Sequence, residues 1–175
     1  ALGMDALALT DHGGMYAAID FYNQAKAAGI KPLIGCEVYI APRSMHQREP
    51  KLDQGPFHLI LLAADRTGYK NLLYLTTQAH LDGYYYKPRI DKELLSKHAK
   101  GLVALSACGS GEVPRLLLNS NYEGAKRAAD WYRDLFGQER FFLEIQEHEL
   151  PEMVAVNQGL VRLSREMDIP LVATN

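Results

Sequence analysis

Five residues whose side chains bind metals or move protons stand at the ends of short apolar runs. Asp11 and His12 close the run Ala6 to Thr10, and Glu37 lies within Leu33 to Ile40, just after Gly35 and Cys36. His58 lies at the start of the run Phe57 to Ala64, and Cys108 follows Ser106 at the end of another. Carboxylate oxygen, imidazole nitrogen and thiolate sulfur are the donors of a zinc or mixed transition-metal site. Each residue also has a plainer use. Asp11 suits a helix cap, Glu37 a buried ion pair, His58 a hydrogen-bonded core position, and Cys108 a small buried apolar position. His12, followed by two glycines, is harder to explain by packing and points to metal or phosphate binding. Their shared position at strand termini makes the set more telling than any one member.

The elements that must position these residues alternate along the whole chain. Strands are expected at Ala6 to Thr10, Leu33 to Ile40, Phe57 to Ala64, Gly101 to Ser106, Phe141 to Ile145 and Pro170 to Thr174. Amphipathic helices are expected at about Met15 to Ala28, Tyr69 to His80, Asp91 to His98, Glu112 to Leu118, Tyr122 to Phe136 and Pro151 to Met167. Near-continuous apolar runs such as Phe57 to Ala64 suit strands buried on both faces. Strand and helix alternation implies an α/β fold with a mainly parallel sheet, open or closed into a barrel. In such folds catalytic groups gather where the strands end.

The chain has 175 residues, about one domain's worth, and a net charge of -2 from 19 basic and 21 acidic residues. With 47% hydrophobic and 23% charged residues it is neither disordered nor a histone-like basic binder. Cys36 and Cys108 are far apart and belong to no CxxC pair, which argues against a disulfide framework or zinc finger and for a reducing, cytoplasmic setting. No apolar run approaches the ~20 residues of a bilayer span. The missing initial Met and the close at Ala173-Thr-Asn175 suggest an excised fragment.

Weaker candidates complete the reading. Glu144 and Gln146, with His148 beyond, either line the same mouth or form a solvated turn. His46, His80 and His98 read as surface residues, and Cys36, next to Glu37, should point to the opposite side of its strand and be core. The segment Tyr84-Tyr-Tyr-Lys-Pro-Arg89 combines rings with two cations, as single-stranded nucleic-acid sites do. Tyr85, Lys87 and Arg89 are its candidate contacts, unless the loop packs on the protein itself or on a neighbouring domain.

Several segments together carry a family resemblance. They are Ala8-Leu-Thr-Asp-His-Gly13, Gly29-Ile-Lys-Pro-Leu-Ile-Gly-Cys-Glu-Val-Tyr39, Phe57-His-Leu-Ile-Leu-Leu-Ala63, Gly68-Tyr-Lys-Asn-Leu72, Lys87-Pro-Arg-Ile-Asp91, Leu105-Ser-Ala-Cys108 and Ala173-Thr-Asn175. In this order, over essentially the whole chain, they resemble the polymerase and histidinol phosphatase (PHP) domain, in the form found at the N-terminus of bacterial replicative DNA polymerase III alpha subunits. The resemblance implies a distorted seven-stranded β/α barrel with up to three divalent ions, zinc, manganese or magnesium. By motif match His12, Glu37, His58 and Cys108 take ligand positions, with Asp11 as support; Asp11, His12, Glu37 and His58 form the expected catalytic set. Family motifs expected before residue 1 and after Asn175 lie outside this sequence, so it is read as a partial PHP domain truncated at both ends.

The activity implied is metal-dependent phosphoester hydrolysis, of the 3′-5′ exonuclease type, within a DNA-directed DNA polymerase whose polymerase carboxylates lie in a later domain. The implied partners are DNA, the other domains of the alpha subunit, the proofreading exonuclease subunit and the replicase holoenzyme, with no membrane. A free-standing histidinol-phosphatase-like enzyme and a non-catalytic scaffold are the alternatives.

Overall fold

The computed structural model describes residues 3–146 and 150–174, with seven strands and six helices that confirm the α/β class. Residues cluster into two compact units, 3–56 with 60–102 and 57–59 with 103–174. The first unit holds β1 (Ala6–His12), α1 (Ala18–Ala27), β2 (Lys31–Ile40), most of β3 (Phe57–Ala63), α2 (Arg66–Leu81), β4 (Arg89–Ile90) and α3 (Lys92–Lys97). The second holds the start of β3 and most of β5 (Leu102–Leu105), then α4 (Glu112–Leu118), α5 (Tyr122–Phe136), β6 (Phe141–Gln146), α6 (Pro151–Met167) and β7 (Leu171–Thr174).

Local sequence explains where the helices start. Asp65, Asp91 and Asn121 each accept the backbone N–H three residues on, at 2.9 Å, so α2, α3 and α5 begin just after a capping side chain. Ala125, Ala128, Ala129, Tyr132 and Phe136 fall on one face of α5 at helical spacing and are buried, Tyr132 stacking on Phe141 of β6. In the first unit the core is Cys36, Ile40, Leu61, Leu72, Leu75 and Ile90, all fully covered. Cys36 is therefore core, as expected, and burial together with the nearby Asp11 and Glu37 carboxylates pushes its thiol up to about 12.

The parallel pairs are β1 with β2, β2 with β4, β5 with β6, and β6 with β7. β3 runs the other way. The Ala64 N–H just beyond its end donates to the Gly101 carbonyl ahead of β5, whereas the His58 N–H at its start donates to the Ser110 carbonyl, past the end of β5. An antiparallel return needs no crossover helix, and residues 41–56 after β2 contain none. A long apolar run gives no hint of direction, so this reversal lies outside what periodicity can predict. It explains why His58 stands at the start of its strand and not at the end.

The loop after β2 is organised by charge. Arg43 grips Asp53 through Nε to Oδ1 at 2.9 Å and Nη2 to Oδ2 at 2.7 Å, and the Glu49 N–H also donates to Oδ2. The Arg43 bonds, with the Glu49 amide adding to them, hold the Asp53 carboxyl down at about 2. A folded-state pKa below the usual 3.8 means stabilisation that is complete above about pH 4 and lost as pH falls through 2. Protection of the Glu49 amide, its hydrogen-exchange rate relative to an unstructured peptide at the same pH, should therefore hold at pH 4 and fall toward pH 2. In Asp53→Asn, which cannot titrate, that protection should not vary with pH across the window.

Candidate functional site

In the first unit, parallel pairing puts His12 directly opposite Glu37. Side chains opposite each other in a sheet share a face, and His12 Nδ1 lies 2.9 Å from Glu37 Oε1. Glu37 is only 7% exposed, while the His12 ring is largely open to solvent. The next residue, Gly13, has φ +70° and lies against Tyr39 and Pro88, so a Cβ there would meet Pro88 Cγ at 2.8 Å. The Gly13 N–H donates to the Glu37 carbonyl at 2.8 Å. Glycine is thus required immediately after the histidine to let the chain turn over β2.

The pairing separates Asp11 from that couple. Asp11 is in register with Cys36 and alternates to the other face, where its Oδ2 accepts the Ala17 N–H at 2.8 Å, just ahead of α1. That bond ties Asp11 to Ala17, the residue at the N-cap position of α1, which has no side-chain cap of its own. His80, expected at the surface, is exposed there and makes one long-range contact. From the last turn of α2 its Nε2 lies 2.9 Å from the Gly13 carbonyl and, as the only available donor, holds the turn that follows His12. The contact spans 67 positions and has no local sequence signal.

In the second unit, the reversal of β3 brings His58 beside the loop that leaves β5. Cys108 Sγ lies 3.5 Å from His58 Nδ1. Gly111 in that loop is required, since a Cβ there would lie 2.0 Å from the Ser106 carbonyl. Arg115 donates to the Ser110 carbonyl at 3.0 Å and lies over the Phe57 ring, 4.7 Å from its centroid. Burial lowers the Arg115 pKa and the charge of Cys108 opposes that shift, so the sulfur sits in the field of a cation.

Glu144 is no solvated turn residue: it is 4% exposed. Its N–H donates to Ser106 Oγ at 2.8 Å, and its Oε1 accepts from Gln146 Nε2 and Thr174 Oγ1. Its Oε2 is buried with no hydrogen-bond partner. His148 lies outside the described residues. On the tyrosine loop, Lys87 is exposed and lies over the Tyr39 ring, and Tyr85 is half-buried against Arg89. Arg89 is fully buried with its guanidinium on four backbone carbonyls, which removes it from any contact with nucleic acid.

The PHP domain family matches residues 1–148. DNA polymerase III subunit alpha of Treponema pallidum (strain Nichols) is 47% identical over 176 residues, covering 100% of this chain and 15% of that protein. The DNA polymerase III alpha subunits of Borreliella burgdorferi and Thermus aquaticus are 47% and 48% identical, covering 98% and 97% of this chain and 15% and 14% of theirs. The chain thus spans about 15% of the length of these relatives. A solved structure of a candidate metal-dependent phosphoesterase from Bifidobacterium adolescentis matches with a TM-score of 0.46 at 10% identity, covering 98% of this chain and 77% of that one.

Proposed function

The chain belongs to the PHP domain family, and on that premise we propose that it is the partial PHP domain of a DNA polymerase III alpha-type polypeptide, in which His12, Glu37, His58 and Cys108 hold divalent metal for phosphoester hydrolysis. The observation that carries the reading is the spacing of His58 and Cys108. A tetrahedral zinc bound at ~2.0–2.1 Å by nitrogen and ~2.3 Å by sulfur leaves those two atoms about 3.5 Å apart, and Nδ1 and Sγ are 3.5 Å apart. Imidazole with thiolate favours zinc at that pair, while His12 with the Glu37 carboxylate accepts zinc, manganese or magnesium.

A divalent ion held at these residues would supply a water of lowered pKa and positive charge to offset that of a phosphate. The chain's own residues set the geometry. Glu37, buried and fixed on β2, orients the exposed His12 ring. His80 and Gly13 hold the turn beneath that ring, and Asp11 ties the same segment to the start of α1. Arg115 keeps the sulfur of Cys108 in a cationic field. The substrate we assign is the terminal phosphodiester of a DNA 3′ end. The partners are DNA, the rest of the alpha-type polypeptide, the proofreading subunit and the replicase, with Tyr85 and Lys87 as the remaining contact candidates on their loop. No helix of the described residues is long and apolar enough to cross a membrane.

The test uses the full-length polypeptide, stripped with a chelator and reloaded with zinc or manganese. Retained metal by elemental analysis, with shortening of a 3′-labelled single-stranded oligonucleotide that stops on chelation, is the expected result. Absence of bound metal after reloading would refute the reading, and metal without hydrolysis would leave a structural ion. A companion prediction concerns His80. His80→Phe keeps the ring volume and loses the bond to Gly13, so metal affinity should fall by roughly 10–100-fold, the usual effect of losing an outer-shell partner. The melting temperature of the chelator-treated protein should hardly change.

A further inference from the structure

On the helix side of the first unit an apolar groove of about 560 Å³ opens between α1 and α2. Pro32 and Ile34 of β2 and Ala63 at the end of β3 form its floor, and Ile19, Tyr22 and Tyr69 stand along its walls. Topology explains the gap. α1 leads from β1 back to β2, and α2 follows β3, but β3 returns from β2 through a loop, so no crossover helix lies over the back of that strand pair. α1 turns the small Ala18 and Ala25 inward and leaves Ile19 65% and Tyr22 48% exposed. These two are three residues apart, hence neighbours on one side of the helix.

The chemistry of the groove suits a helix better than a small molecule. Small-molecule sites add a few convergent polar groups to an apolar wall, and here the charged lining is confined to Asp65 and Arg66. Asp65 is already committed to capping α2. Arg66 is exposed and pairs with no carboxylate among the described residues. The chain spans only about 15% of the length of its relatives; on the proposed reading as part of such a polypeptide, further segments would be held at high effective concentration by covalent attachment.

We propose that the groove docks an amphipathic helix from a part of the same polypeptide outside residues 1–175, with an apolar stripe against Ile19, Tyr22 and Tyr69 and an acidic side chain facing Arg66. This rests on the chain being part of a longer alpha-type polypeptide, and is independent of whether metal is bound. The test places the photo-crosslinking amino acid benzoylphenylalanine at Tyr22, and separately at Ile19, in the full-length protein. After irradiation and digestion, mass spectrometry should find both positions joined to one helical segment of the same polypeptide. Ile19→Asp, combined with the probe at Tyr22, sets a charge in the apolar contact and should lower that yield about tenfold or more. Cross-links solely to a second copy, solely to another subunit, or none above background would each overturn the proposal. His58→Ala separates the two readings, because it should remove metal and leave the cross-link intact.

Discussion

His58→Ala in the full-length polypeptide should release metal from the second unit and lower phosphoester hydrolysis on the order of a thousandfold, corresponding to the loss of several kcal/mol of charge stabilisation. The fold is expected to survive, because the backbone at this position is held independently of the ring. The His58 N–H donates to the Ser110 carbonyl at 3.1 Å, and a bridge to Gly111 closes the same contact. The imidazole can therefore be removed while the start of β3 stays in place. Cys108→Ser offers the complementary variant, exchanging a soft sulfur for a hard oxygen at the same spacing and so shifting preference from zinc toward manganese or magnesium. Elemental analysis across zinc and manganese, with hydrolysis assayed in parallel, measures both effects. If His58→Ala retains full metal and full hydrolysis, the ligand assignment is wrong; if both variants unfold, circular dichroism shows it directly, and His58→Gln, closer in volume and still polar, takes over the metal measurement.

The legibility of the fold and the site in the sequence follows from the range over which each signal acts. The caps at Asp65, Asp91 and Asn121 work across three residues, and the helices they start lie close to their expected bounds. Glu37 was visible because a carboxylate inside Leu33 to Ile40 breaks an apolar run, and the break reports burial whatever the partner. Other features had no such signal. β4 is two residues long, below any period, and the antiparallel sense of β3 is invisible in a run that is apolar on both faces. The register of β1 against β2 decided which of Asp11 and His12 faces Glu37, and register is a property of two strands. The choice between the two readings of Arg89 has the same origin. Three tyrosines, a lysine and a proline fit either a nucleic-acid contact or a loop packed on the protein itself, and only long-range packing shows that the arginine among them is sealed inside.

Arg89→Met should destabilise the protein by roughly 3–5 kcal/mol, the range for breaking a buried charged network by removing one partner. The guanidinium has no exposed surface and donates through Nε to the Gly83 carbonyl at 3.1 Å, through Nη1 to the Asp53 carbonyl at 3.1 Å, and through Nη2 to the carbonyls of Met45 and Gln47 at 3.0 Å. Burial pulls its pKa down and the Asp53 charge opposes that, while the Tyr85 ring lies 5.0 Å from the guanidinium carbon. Methionine fills much of the volume but leaves four acceptors without their donor, and an unsatisfied buried group costs about 1–3 kcal/mol. Lysine brings back the charge without the planar fork, so Arg89→Lys should recover only part of the loss. For a chain of this size the methionine variant should melt roughly 10 °C lower. The consequences extend to the site, since β4 pairs Arg89 with Tyr39 on β2, two residues from Glu37. Hydrogen exchange should quicken from Met45 to Asp53 and at Gly83, and metal affinity should fall together with stability. A melting temperature within about 2 °C of the parent would show that water replaces the guanidinium, and that the buried cation is not what holds this loop.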